Sequence, residues 1–382
     1  MEKSVYVQRE LDILKGLQNK SCFLFGPRQT GKTSLIKNTL REYRYYNLLK
    51  TDVFLKLSRS PQRLHEEITD NDKIVIIDEI QKLPILLDEV HYLIEEKGIH
   101  FLLTGSSARK LRNKGVNLLG GRARTRRLHP FIYRELNEEF NLLKALDTGL
   151  IPSIYFSDAP YEDLEAYTGS YLKEEIAAEA IVRNVPAFSR FLTVAGLCNG
   201  KMINYSNIGS DAEVPKSTVQ EYFQILRDTL LGDDLPAWKK SLKRKPVSTS
   251  KFYFFDIGVV RFLQNRQGLK MQSPEFGEAF ESYIYHEIKA YCDYKGSCDL
   301  RYWRSTSGFE VDFILNEKTA IEVKGKANIA IKDFKGLRSL KEEEILKNYI
   351  LVSLEDTPRK IDDIQILPWE EFIKNLWQDG YV

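Results

Sequence analysis

The residues with the most specific chemistry lie at 26–34, where Gly26-Pro27-Arg28-Gln29-Thr30-Gly31-Lys32-Thr33-Ser34 spells G-x-x-x-x-G-K-T followed by a serine. Gly26 and Gly31 let the backbone turn tightly and approach an anion that a Cβ would obstruct. Consecutive amide N–H groups, with the start of a helix, form a concavity for polyphosphate oxygens. Lys32 then reaches the β- and γ-phosphates, and the Thr33 hydroxyl binds Mg2+. The spelling therefore implies that the chain binds a nucleoside triphosphate. A second set follows in Lys73-Ile-Val-Ile-Ile-Asp78-Glu79-Ile80. Acids that close a buried parallel strand sit where open α/β sheets bind ligands. Asp78 is placed to hold Mg2+ through water and Glu79 to orient or deprotonate the attacking water. The plain alternative is an acidic strand-to-helix cap.

The apolar run from Ile99 ends in Thr104-Gly-Ser106. Either hydroxyl is placed to sense the γ-phosphate, and a helix N-cap over Ser107 to Arg112 is the competing reading. Within Gly120–Arg127 the arginines have no acid nearby in sequence. Arg122 is the candidate arginine finger, supplied within the chain or to a neighbouring subunit, and a patch facing nucleic acid is the alternative.

A further constellation lies near the other end. Glu281 falls on a helix expected over Pro274–Tyr294, followed by strands at Leu300–Arg304, Phe309–Leu315 and Thr319–Lys324. Period two turns Ile321 and Val323 one way and Glu322 and Lys324 the other, beside Asp312. Asp312 and Glu322 are hard oxygen ligands for Mg2+, and Lys324 would position or activate a water. Glu281 would complete the metal shell or orient a ligand. A hairpin with a surface ion pair would spell the same D-x9-E-x-K.

These residues need elements to hold them. Cys22–Phe25, Arg44–Leu49, the run after Lys73 and the run after Ile99 read as strands, and Lys32 to about Arg41 as a helix. Leu11, Leu14 and Leu17 mark a helix leading into the loop. The fold class expected is α/β, a parallel sheet of P-loop NTPase type. Mixed helices, with one or two over Tyr161–Ile181, then lead to helices over Ala187–Asn199 and, after Val214-Pro215, over Lys216–Arg227, with Val219, Phe223 and Leu226 on one face. Basic Lys239–Lys245 and Phe252–Phe255 would form a hairpin wing, giving a winged helix-turn-helix order. Lys216, Ser217, Gln220 and Gln224 would face a major groove, although Glu221 and Asp228 weaken that picture.

A length of 382 residues exceeds one ordinary core. The expected division is 1–150, an ATPase-like domain; 151–268, helical linker and winged helix; and 269–382, the domain carrying Asp312. The net charge of +2 excludes nothing about nucleic acid, but the eight basic residues between Ala108 and Arg127 and the six between Trp238 and Lys251 carry no acid among them. Four cysteines without metal spacing, no apolar run long enough to span a bilayer, and no signal-peptide pattern point to a cytoplasmic protein.

Gly26–Thr33, Ile77-Asp-Glu-Ile-Gln81, Leu103-Thr-Gly-Ser-Ser107 and Gly121-Arg122 leading to His129-Pro-Phe-Ile-Tyr-Arg-Glu135 resemble an AAA-type family of bacterial and archaeal P-loop ATPases with an uncharacterised C-terminal region. Members often have Ser at the place of Ile132 or Tyr133. Glu281 with Asp312, Glu322 and Lys324 resembles the signature of the restriction-endonuclease-like PD-(D/E)XK fold. The resemblance implies ATP and Mg2+ as cofactors and ATP hydrolysis coupled to a nuclease-like domain that binds DNA, with RNA not excluded. A nucleotide switch or scaffold with an inactive nuclease-like domain is the alternative, and an ATP-driven DNA-remodelling assembly a third. Arginine fingers shared between subunits would imply a homo-oligomer.

Overall fold

Four hydrophobic runs of the N-terminal region form the inner layers of a five-stranded sheet. The structure is a computed structural model that describes residues 6–107, 119–171, 184–296 and 298–381. The helix expected over 107–112 lies outside these residues after Ser107. Of that expected over 161–181, the part up to Tyr171 is helical, as Pro160–Glu165 and a π-helical turn over Ala166–Tyr171, and the rest lies outside the described residues. Two compact units are present, one of the chain up to Leu136 with Asp228–Leu231, the other of Asn137–Arg227 with the chain from Gly232 onward.

In the first unit β1 (Ser21–Phe25), β2 (Arg44–Asn47), β3 (Ile74–Asp78), β4 (His100–Gly105) and β5 (Ala123–Arg127) pair in parallel in the order β2-β3-β4-β1-β5. Central strands covered on both faces must be apolar throughout. Every residue of β1 and β3 is buried, and only His100 of β4 is not. Phe23, Phe25, Val75, Ile77, Phe101 and Leu103 share one core with Val90 and Leu93 of the Leu86–Lys97 helix. The strand β5 was not expected from sequence. Its Arg124 and Thr125 are exposed, and a charged edge discourages pairing with another chain.

The second unit begins with short helices and the helices Val185–Leu197, Tyr205–Asp211 and Lys216–Asp228. Strands β6 (Lys201–Met202), β7 (Gly232–Leu235) and β8 (Lys251–Phe254) form an antiparallel sheet in the order β6-β8-β7. Val219, Phe223 and Leu226 are buried, with Phe223 edge-on to Phe252 of β8. Lys216, Ser217, Gln220 and Gln224 are exposed, as is Glu221.

The basic run 239–245 lies in the connection from β7 to β8. Two of its charges, acid-free in sequence, meet acids brought by the fold. Lys240 pairs with Glu317, and Arg244 lies 2.6 Å from Glu342. The amides of Leu242 and Lys243 donate to Glu343 at 2.7 and 2.8 Å.

The connection runs along β9 (Leu300–Arg304), the edge of a six-stranded sheet with β10 (Glu310–Leu315), β11 (Thr319–Lys324), β12 (Asn348–Ser353), β13 (Arg359–Ile361) and β14 (Ile364–Pro368). The order is β13-β14-β12-β11-β10-β9, antiparallel across β9-β10-β11 and parallel from β11 through β12 to β14. The Pro274–Lys295 and Lys335–Lys341 helices both pack on β11. Ile321, Val323 and Glu322 are therefore all buried, where the alternation had suggested one covered face. The Trp369–Trp377 helix, unexpected from sequence, closes the chain with Phe372, Ile373 and Leu376 buried.

Candidate functional sites

The loop after β1 is held in a shape that ordinary side chains resist. Gln29 (φ 61°) and Gly31 (φ 94°) both lie in the left-handed region, tolerated by glycine but costing about 1–3 kcal/mol for a residue such as Gln29. Such strain persists where surroundings over-determine it. Thr30, fully buried, donates from Oγ1 to the Pro27 carbonyl at 2.9 Å. Lys32 donates from Nζ to the carbonyls of Gly26 at 2.6 Å and Pro27 at 2.9 Å. Gly26 is required for a reason beyond phosphate approach: a Cβ there would come within 2.5 Å of the Leu128 carbonyl oxygen. Arg28, Thr33 and Ser34 complete the loop and open the Lys32–Thr39 helix, whose N-cap is Gly31.

Asp78 ends β3 and is buried. Its Oδ2 accepts from the Tyr45 hydroxyl at 2.6 Å and its Oδ1 from the Thr104 hydroxyl. Glu79 follows with φ 64°, again left-handed, and its amide donates to Thr104 Oγ1 at 3.3 Å. Burial raises the Glu79 pKa, with Asp78 adding to the rise and Lys32 opposing it. Gln81 Nε2 donates to Glu79 and lies 3.4 Å from Ser106 Oγ. Gly105 is bare because Gln81 occupies the space of its Cβ. Thr104 is thus a partner of Asp78, while Ser106 lies beside the Gln81 that contacts Glu79. Thr33 and Asp78 are oxygen donors of the number Mg2+ takes from protein when phosphates and water fill its shell, so the donor set fits that ion. Arg122 ion-pairs with Glu95, an acid that sequence distance had hidden.

The sequence reading missed Arg9. Its Nη1 donates to the Thr30 carbonyl at 2.6 Å, and Nη2 donates to the carbonyls of His129 and Pro130 at 2.6 and 3.2 Å. Glu135 answers it at 2.9 Å from Nε, both side chains being almost wholly buried. Glu135 also accepts from the amides of Glu10 and Ile132, and burial leaves its pKa raised despite Arg9. One guanidinium therefore ties the N-terminal segment, the phosphate loop and the segment after β5. The available signal was a charged pair, Arg9 and Glu135, flanking the loop motif in apolar surroundings.

In the second unit Glu281, Asp312, Glu322 and Lys324 come together between the Pro274–Lys295 helix and the sheet. Asp312 Oδ2 accepts from the Val323 amide at 2.8 Å, and Lys324 Nζ lies 2.5 Å from Glu322 Oε1. Burial, then the Glu281 charge, pushes the Asp312 pKa up to about 6. Burial and Asp312 push Glu322 up as well, and Glu322 Oε2 is buried without a hydrogen-bond partner among the described residues. Glu281 is otherwise engaged, accepting from the Tyr253 hydroxyl at 2.6 Å, and among the described residues no three His, Cys, Asp or Glu are grouped to hold a metal.

A parallel sheet in this order, with a G-x-x-x-x-G-K-T loop after one strand and an acid ending another, defines a P-loop NTPase fold. Residues 18–137 match the family described as an AAA domain. Residues 140–270 and 276–372 match two families each described as a domain of unknown function, DUF8612 and DUF4143. No curated protein matches the chain in sequence.

Solved structures similar in part include the following three. The ORC1 protein of Aeropyrum pernix in complex with DNA is 14% identical over 64% of this chain and 86% of that one, with a TM-score of 0.29. The replication initiator DnaA bound to AMPPCP and single-stranded DNA is 13% identical over 58% and 90%, with a TM-score of 0.29. A STAND signal-transduction ATPase with a tetratricopeptide-repeat sensor from Pyrococcus horikoshii is 16% identical over 77% and 49%, with a TM-score of 0.24. Likenesses at these scores transfer no ligand or partner. Among the described residues no helix is long and apolar enough to cross a membrane.

Arg9→Met should destabilise the first unit by about 3–5 kcal/mol, because Glu135 is left buried without its counter-charge. Arg9→Met/Glu135→Gln should recover much of that stability in thermal unfolding. It should still bind nucleotide more weakly than wild type in a fluorescent-nucleotide titration, since Thr30 has lost its anchor.

Proposed function

We propose that the chain is a Mg2+-dependent ATPase whose turnover acts on a restriction-endonuclease-like domain that binds nucleic acid. The observation carrying the first half is the loop itself, with Gln29 and Gly31 in left-handed conformations and Lys32 directed onto the loop's own carbonyls. With ATP present, Lys32 exchanges those carbonyls for β- and γ-phosphate oxygens, and the backbone amides of 27–33 hold the rest of the polyphosphate. Thr33 and Asp78 would hold Mg2+, which would neutralise charge on the phosphates when bound. Glu79 takes the proton of the attacking water, and Gln81 orients its carboxylate. Ser106 reports on the γ-phosphate through Gln81. Arg122 serves a neighbouring subunit as finger if it leaves Glu95.

The second half rests on the convergence of Asp312, Glu322 and Lys324 on adjacent strands under the helix carrying Glu281. Such a centre takes a divalent cation and a phosphodiester, with Lys324 placing a water. The three helices and the β6-β8-β7 sheet support a winged-helix module, and Lys216, Ser217, Gln220 and Gln224 are its exposed face. The basic connection 239–245 is answered in part, Lys240 by Glu317 and Arg244 by Glu342. A domain that binds without cleaving is the second reading, favoured by the direct pairing of Glu322 with Lys324.

Lys32→Ala should weaken ATP binding by roughly 10- to 150-fold, the loss of a charge-assisted contact of about 1.5–3 kcal/mol. Glu79→Gln should bind ATP and lose turnover in a phosphate-release assay; wild-type turnover would remove Glu79 from the mechanism. A base works only when ionised and the Glu79 pKa is raised by burial. The acid limb of the turnover profile should therefore lie above the ordinary glutamate value of about 4.3.

DNA and RNA incubated with Mg2+ or Mn2+, with and without ATP, separate the two readings. Cleavage lost in Asp312→Ala supports a nuclease. Binding without Asp312-dependent cleavage under every condition leaves the non-cleaving reading.

A further inference from the structure

Lys251 lies on β8, outside the motif that carries the carboxylates, yet its side chain is only 5% exposed and sits among them. Its ammonium is 2.6 Å from Glu310 Oε1 and 3.5 Å from Glu281 Oε1, with the Tyr302 ring centroid 5.2 Å away. Burial alone would discharge a lysine. Here the charges of Glu281, Asp312 and Glu310 outweigh burial and hold it above the ordinary lysine value. Tyr253, two residues on, donates to the same Glu281 oxygen at 2.6 Å. Glu281 is thus fixed from β8 on both counts. The acids Glu281, Glu310, Asp312 and Glu322 are faced by Lys251, Lys324 and Arg304, the last 2.9 Å from Glu310. Buried Glu322 Oε2, lacking a partner among the described residues, is the position still open to a ligand.

We propose that Lys251 is the resident cation of this cluster, holding Glu281 out of the metal shell and limiting the site to a single divalent cation on Asp312 and Glu322. This rests on the metal-binding reading of the C-terminal domain given above. A neighbouring ammonium repels a divalent cation, so metal affinity is set by the balance between the two. Because Lys251 belongs to the three-stranded sheet, the helical module contributes a residue to the carboxylate site.

The test is Mn2+ binding to the full-length, nucleotide-free protein, followed by electron paramagnetic resonance of free Mn2+, with the Asp312-dependent part defined by Asp312→Asn. Lys251→Met should tighten that part by about 10-fold or more, or add a second Mn2+, as a like charge is removed and Glu281 and Glu310 lose their counter-charge. Lys251→Arg should behave as wild type. Lys251→Gln, which keeps a donor for Glu310, replaces Lys251→Met if the latter fails to fold.

Asp312-dependent binding in wild type that is unchanged or weaker in both neutral variants overturns the role of Lys251 and leaves the metal site standing. Binding absent in wild type but present in the neutral variants supports Lys251 as occupant and overturns the metal-binding reading of the native domain. Binding absent from all of them overturns both.

Discussion

The nucleotide site depends on one buried ion pair. A phosphate loop must keep its amides unpaired and pointed at an anion, so it cannot be stiffened by the backbone ladders that stiffen a strand. Its rigidity has to come from side chains. Arg9 provides it by holding the Thr30 carbonyl at 2.6 Å, and Glu135 keeps that guanidinium neutralised in a place water does not reach. A buried pair of this kind adds little net stability over an apolar one, but losing one partner is costly. Its value here is geometric, since five donors on a planar group fix three chain segments at once. The left-handed Gln29 and the close approach of Gly26 to Leu128 are tolerated inside that frame.

The same physics recurs in the second unit with the signs arranged differently. Carboxylates gathered at β10 and β11 repel one another and are desolvated, which raises the pKa of Asp312 and Glu322. Lys324 answers from two positions along the same strand as Glu322, and Lys251 answers from another sheet. Each acid therefore reads differently in sequence and in space. Glu281, a metal ligand by analogy of position, is tied to Tyr253 and Lys251.

Much of the first site was legible because its parts are local. G-x-x-x-x-G-K-T fixes loop and helix start within a few residues, and Ile74–Asp78 is apolar because both faces of its strand are covered. The strand β5 was not legible: an edge strand written Ala-Arg-Thr-Arg-Arg carries no hydrophobic period, and its pairing with β1 is a long-range contact. Arg9 lay equally out of reach, because its partners stand 21 and about 120 residues away. In the second unit β9, β10 and β11, and the convergence of Asp312, Glu322 and Lys324, followed from period two. The burial of both faces of β11 did not, as it depends on a helix that arrives only after the strand.

Charge runs were the least transferable signal, for a physical reason. A stretch of lysines without neighbouring acids is unpaired only if the fold brings it none. Glu317, Glu342 and Glu343 reach the 239–245 segment from roughly 75 to 100 residues further along, two of them as direct ion-pair partners and the third through backbone amides. A connection so engaged is positioned rather than available, and it extends the edge of the sheet at β9. Free positive potential is what draws a polyanion, and here part of it, at Lys240 and Arg244, is met by the protein's own carboxylates. The helix bearing Lys216, Gln220 and Gln224 presents those side chains to solvent, with Glu221 and Asp228 on the same helix.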